Sequence, residues 1–122
     1  MGSNKRILLV FSDDDTAHLL ERNILAPEGY QVAITRTCAE AERAVANIRP
    51  DLMILGDNLT DGDHIQLAAK VLGGQPTLPI ILFTKSDTDF LPREAMRLGL
   101  VDWLTPPINA DDVREGLGLL LM

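Results

Sequence analysis

Five short apolar runs alternate with five amphipathic segments along the chain. RILLVF (Arg6–Phe11) reads as a buried first strand. In the next segment, AHLLERNIL, Ala17, Leu20, Ile24 and Leu25 fall on one helical face, and the helix is expected to stop at Pro27 and Gly29. YQVAIT reads as the second strand. TCAEAERAVANI reads as a helix opened by a capping box, in which Thr37 and Glu40 each bond the other's orphan backbone N–H. DLMILG is the third strand, followed by a helix from about Asp63 to Leu72 that GGQ ends. LPIILFT, rich enough in Ile and Leu to be buried on both faces, is the fourth strand. LPREAMRLG is a short helix with Pro92 in its first turn and Gly99 at its end, VDWLT a short fifth strand, and NADDVREGLGLLL a last helix with Asn109 as N-cap.

Strands separated by helical segments of this length imply an α/β fold with a parallel sheet covered on both faces. Five such units suit a doubly wound (βα)5 sheet of order 2-1-3-4-5, whose ligands bind beyond the carboxyl ends of the strands. The acidic residues collect at that end. Asp13, Asp14 and Asp15 follow strand 1; Asp57, Asp61 and Asp63 follow strand 3; Asp87 and Asp89 follow strand 4. Converging carboxylates repel one another unless a hard cation sits among them, so a Mg2+ site is one reading, with Asp13 and Asp14 as ligands. Helix capping by several of them is the other reading: Asp13 to Asp15 before helix 1, Asp63 before helix 3, and Asp87 or Asp89 before helix 4. His64 in the acidic loop and His18 in helix 1 read as solvated side chains.

Composition narrows the field. A chain of 122 residues fits one domain spanning 1–122. Residues 1–4 read as lying outside the folded part, Met1-Gly2-Ser3 being partly a cloning remnant. The apolar end GLGLLLM reads as cut in or just after a helix, so a C-terminal output domain is expected beyond it. Aromatic residues are only 4%, which leaves Leu, Ile, Val and Ala to build the core. The net charge of −7 argues against nucleic acid or an anionic membrane as a direct partner. A single cysteine, Cys38, excludes an internal disulfide and fits a reducing compartment. With neither a signal peptide nor a membrane-spanning run in view, a cytoplasmic protein is expected.

Taken together, RILLV, GYQVAITRTCAEAERAVANIRPDLMIL, LTDGD, PIILFT and GLVDWLTPP resemble the response-regulator receiver domain of bacterial phosphorelay signalling, over essentially the whole chain. The resemblance implies a flavodoxin-like fold, a histidine kinase or output domain as partner, and a site of known parts. In that family an acidic pair after strand 1 holds Mg2+, and an Asp ending strand 3 accepts a phosphoryl group. A Thr or Ser ends strand 4 and a Lys ends strand 5. Thr84 matches the hydroxyl position, and Trp103 matches an aromatic position linked to a partner-facing switch.

Other positions depart from the pattern. With Leu59 as the apolar residue and Asp63 as the later acid, the acceptor position falls on Gly56, which has no nucleophile. Pro106 stands where the family has Lys. Counting back from Gly29 sets the acidic pair at Ser12 and Asp13, whereas counting from strand 1 sets it at Phe11 and Ser12, as though one residue had been inserted between. Ser12 and Asp13 are the favoured choice, with Asp14 as substitute. The chain is therefore expected to be a degenerate receiver, acting as a protein-interaction module without enzymatic activity and needing no cofactor beyond weakly held Mg2+. One alternative is a phosphorylatable receiver using Asp57 with Mg2+ and Lys85 as the cation. A Mg2+-dependent phosphohydrolase is a more remote one. A cis bond before Pro107 is also expected from the resemblance.

Overall fold

The computed structural model describes residues 5–56, 59–62, 64–75, 78–83 and 102–104. Five parallel strands form one sheet in the order β2-β1-β3-β4-β5: β1 Arg6–Val10, β2 Gln31–Thr35, β3 Leu52–Leu55, β4 Ile80–Phe83 and β5 Asp102–Leu104. The α/β order expected from the alternation of apolar runs is the order observed. β1 lies at the switch point, pairing with β2 on one side, Val10 opposite Thr35, and with β3 on the other, Val10 opposite Leu55. The helices of the fourth and fifth units, LPREAMRLG and NADDVREGLGLLL, lie outside the described residues.

Alternation along the strands divides the core between the two faces of the sheet. Ile7, Leu9 and Phe11 join Leu52, Ile54 and Ile81 beneath α1 (Asp14–Leu20) and the helical turn after it. Leu8 and Val10 join Met53, Leu55 and Ile80 beneath α2 (Cys38–Ile48) and α3 (His64–Gly74). Strands buried from both sides explain why these segments read as continuous apolar runs.

Two local features differ from the sequence expectation, and a third concerns how α2 ends. The first helix does not remain α-helical: Glu21–Leu25 form a π-helical turn, closed by a five-residue-span bond from the Ala26 N–H to the Glu21 carbonyl at 2.7 Å. A π turn holds one more residue than an α turn over nearly the same length, so Ile24 and Leu25 both reach the core. The third helix runs on through Gly73 and Gly74 instead of stopping at Leu72, and the Gln75 N–H bonds the Val71 carbonyl at 2.8 Å to finish it. Glycine weakens a helix without being obliged to end it. Finally, α2 is terminated by Arg49 at φ 50°, a left-handed cap reached without glycine, and Pro50 prevents the helix from resuming.

Candidate functional site

The carboxyl ends of β1 and β3 come together around Phe11 and Gly56. Past the paired residues Val10 and Leu55, the Gly56 N–H bonds the Val10 carbonyl at 2.8 Å, and the Phe11 N–H bonds the Thr35 carbonyl at 3.0 Å. Phe11 is thus tied to β2 on one side and brought beside Gly56 on the other. Phe11 is only 5% exposed, although it stands at the mouth of the sheet. A Cβ built on Gly56 would lie 2.6 Å from Phe11 Cδ1 and 2.9 Å from Cε1. These distances are inside van der Waals contact, so Gly56 allows the ring to pack and the ring fills the space that a side chain at 56 would need.

The acidic residues that follow β1 have protein partners. Asp13 is the N-cap of α1: its Oδ1 accepts from the Asp15 N–H at 3.0 Å and its Oδ2 from the Thr16 hydroxyl at 2.8 Å. The Thr16 hydroxyl, and then the Asp15 N–H, hold its carboxyl below the usual carboxylate range. Asp14 accepts a two-toothed grip from Arg36, with Nε on Oδ1 at 2.6 Å and Nη2 on Oδ2 at 3.0 Å. That bond and the guanidinium charge lower the Asp14 pKa as well.

Asp61 has a partner that local sequence does not disclose. From the β3–α3 loop its Oδ1 accepts the Cys38 N–H at 2.7 Å and its Oδ2 the Ala39 N–H at 3.1 Å. Both donors belong to the first turn of α2, and the bond from Cys38, reinforced by that from Ala39, lowers the carboxyl pKa. The third orphan donor, the Glu40 N–H, bonds Thr37 Oγ1 at 3.1 Å as expected of a cap. The return half of the capping box differs: Glu40 Oε1 accepts from the Arg36 N–H at 3.3 Å. Gly62 keeps the loop close to α2, since a Cβ there would meet Cys38 Sγ at 3.1 Å.

The π turn also bears on the register of the acidic pair. The count back from Gly29, which favoured Ser12 and Asp13, assumes a uniform α-helix. Glu21–Leu25 form a π turn, which holds one residue more than that count allows. Asp57, Asp63, Thr84, Lys85, Asp87, Asp89, Pro106 and the Pro107 bond lie outside the described residues. Of Trp103 the structure gives the backbone pairing with Leu82, and of His64 its position at the start of α3.

The model of the response regulator receiver domain matches residues 7–117. The chain belongs to this family. It is 26% identical over 118 residues to the photosynthetic apparatus regulatory protein RegA of Rhodobacter capsulatus, covering 96% of this chain and 63% of that protein. It is 28% identical over 118 residues to the alkaline phosphatase synthesis transcriptional regulatory protein PhoP of Bacillus subtilis, covering 97% and 49% respectively. The chain thus spans less than two thirds of the length of these relatives. Among solved structures, a two-component response regulator from Clostridium difficile superposes with a TM-score of 0.90 at 26% identity, over 97% of this chain and 96% of that one. A CheY-like receiver domain from Methanospirillum hungatei gives 0.90 at 26% identity, over 98% and 94%.

Receiver domains are typically non-enzymatic signalling modules of two-component systems that work with histidine kinases and output domains, and they usually bind Mg2+. The described residues do not fit that ion. The carboxylates of Asp13 and Asp14 are each held at both oxygens by protein donors. Among the described residues no three of His, Cys, Asp and Glu stand close enough to share a metal. No helix among them is long and apolar enough to cross a membrane.

Proposed function

We propose that this chain is a degenerate receiver: it keeps the scaffold of a phosphorelay switch, lacks aspartyl-phosphate chemistry, and serves as a protein-interaction module in cytoplasmic signalling. The observation that carries this reading is the closure of position 56. An acceptor aspartate needs an ionised side chain beside a cation. Here a glycine lies against an aromatic ring at 2.6 Å from where Cβ would be. Pro106, at the position of the strand 5 lysine, adds support from the sequence because it has neither charge nor donor.

In phosphorylatable relatives the modification biases a two-state element. In this chain the surface that includes Trp103 is held in one state or biased by binding of a histidine kinase or output domain alone. Asp13 and Asp14 act as helix cap and Arg36 partner, with Mg2+ dispensable to the fold. The test is an amide correlation spectrum of the 15N-labelled chain, titrated with Mg2+ and then acetyl phosphate. The reading expects the Phe11, Ser12 and Gly56 amides and the Trp103 indole to stay in place. A second, saturable set of peaks at these residues would favour a phosphorylatable receiver using Asp57.

A further inference from the structure

Gly56, which the proposed reading puts at the acceptor position, is buried in an apolar layer. Ile7, Leu9 and Phe11 face α1, as do Leu52 and Ile54 of β3, and the alternation of β3 points a side chain at 56 the same way. The ring of Phe11 is not a loose surface group that could swing aside: it packs with Ala17, Leu20 and Ile54 in one buried cluster, and its backbone is bonded to Thr35. The apolar layer of the α1 face therefore extends past the last paired residues and covers the strand ends.

We infer that Phe11 and Gly56 form one steric unit that closes the acceptor position, so that Phe11 determines whether this fold can carry a side chain at 56. The inference rests on the reading of position 56 as the acceptor position, and it adds that restoring an aspartate there is not sufficient. In Gly56→Asp the new carboxylate meets ring carbons and must displace a packed aromatic. Desolvation against the ring also drives a carboxylate toward its protonated form, which is no nucleophile. Removing the ring relieves both effects at once, and the two substitutions are non-additive for that reason.

A double-substitution cycle tests this directly: the unmodified chain, Phe11→Ala, Gly56→Asp and Phe11→Ala/Gly56→Asp are unfolded in urea and followed by circular dichroism. Gly56→Asp is expected to lower the folding constant by at least about tenfold less in the Phe11→Ala background than beside the intact ring. Strictly additive effects would overturn the inference. If Gly56→Asp fails to fold, the same cycle with Gly56→Ala gives the same decision, because Cβ alone makes the 2.6 Å contact. The two levels of the account fail separately. Additivity would remove the steric unit and leave the degenerate reading standing, whereas phosphoryl transfer to the unmodified chain would remove the degenerate reading and leave the coupling of positions 11 and 56 in force.

Discussion

Replacing Gly56 by alanine sets two effects of opposite sign against each other, and the structure decides between them. Where the backbone suits an ordinary residue, Gly→Ala reduces the freedom of the unfolded chain and stabilises by about 0.4–1 kcal/mol. Gly56 is not among the described residues with positive φ, so alone it would be expected to gain this amount. The new Cβ, however, would stand 2.6, 2.9 and 3.3 Å from three ring carbons of Phe11. The closest contact is about 0.8 Å short of ordinary van der Waals distance, and the ring sits in a packed cluster. Forcing an extra carbon into such a core costs about 1–3 kcal/mol, so overpacking wins and Gly56→Ala should be destabilising by about 1 kcal/mol. Gly73→Ala is the internal control. It lies in α3 with nothing within 4 Å of its Cβ position and should stabilise by about 0.5 kcal/mol. Urea unfolding of both variants beside the parent chain measures the two signs. A Gly56→Ala chain as stable as its parent, or more so, would refute the close packing of Phe11 on Gly56.

Deleting Arg22, an exposed residue of the π turn, should let the first helix continue as a regular α-helix with its apolar stripe intact. The urea midpoint should then fall by less than the equivalent of about 1.5 kcal/mol, whereas outright unfolding would show that the turn is not where the extra residue resides. The pKa values of Asp13, Asp14 and Asp61 all lie below the ordinary 3.8, so their contribution to stability is complete above that value and is lost as pH falls through the lowered ones. Asp61→Asn should therefore flatten the acid limb of a stability profile taken from about pH 6 to about pH 2, and an unchanged limb would remove Asp61 from the account. Its bonds to α2 also predict faster hydrogen exchange at the Cys38 and Ala39 amides in Asp61→Ala, with unchanged exchange there as the contrary result.

The sheet order was legible because the central strands β1 and β3 are buried from both sides. Runs such as RILLV, LMIL and IILF have no polar alternation that could confuse them with a half-exposed strand. Thr37 announced the start of α2 through a bond that spans three residues, and the placing of the acceptor position at Gly56 rests on its spacing to Leu59 and Asp63. What escaped is what depends on distance in space. Asp61 and Cys38 are 23 residues apart, so the charge of Asp61 suggested a cation while its partners are the amides at the start of α2. The π turn left only an indirect trace, a one-residue disagreement between two counts, because helical periodicity presumes 3.6 residues per turn. Phe11 looked like the natural end of an apolar strand, and it lies one residue past that end at Val10. Its second role, over Gly56, required the register of Val10 against Leu55.

Intact-mass spectrometry of the chain after incubation with acetyl phosphate and Mg2+ tests the central claim most directly. The account predicts the unmodified mass throughout. An added mass of about 80 Da, one phosphoryl group, that disappears in Asp57→Asn would contradict it and return this chain to the phosphorylatable receivers.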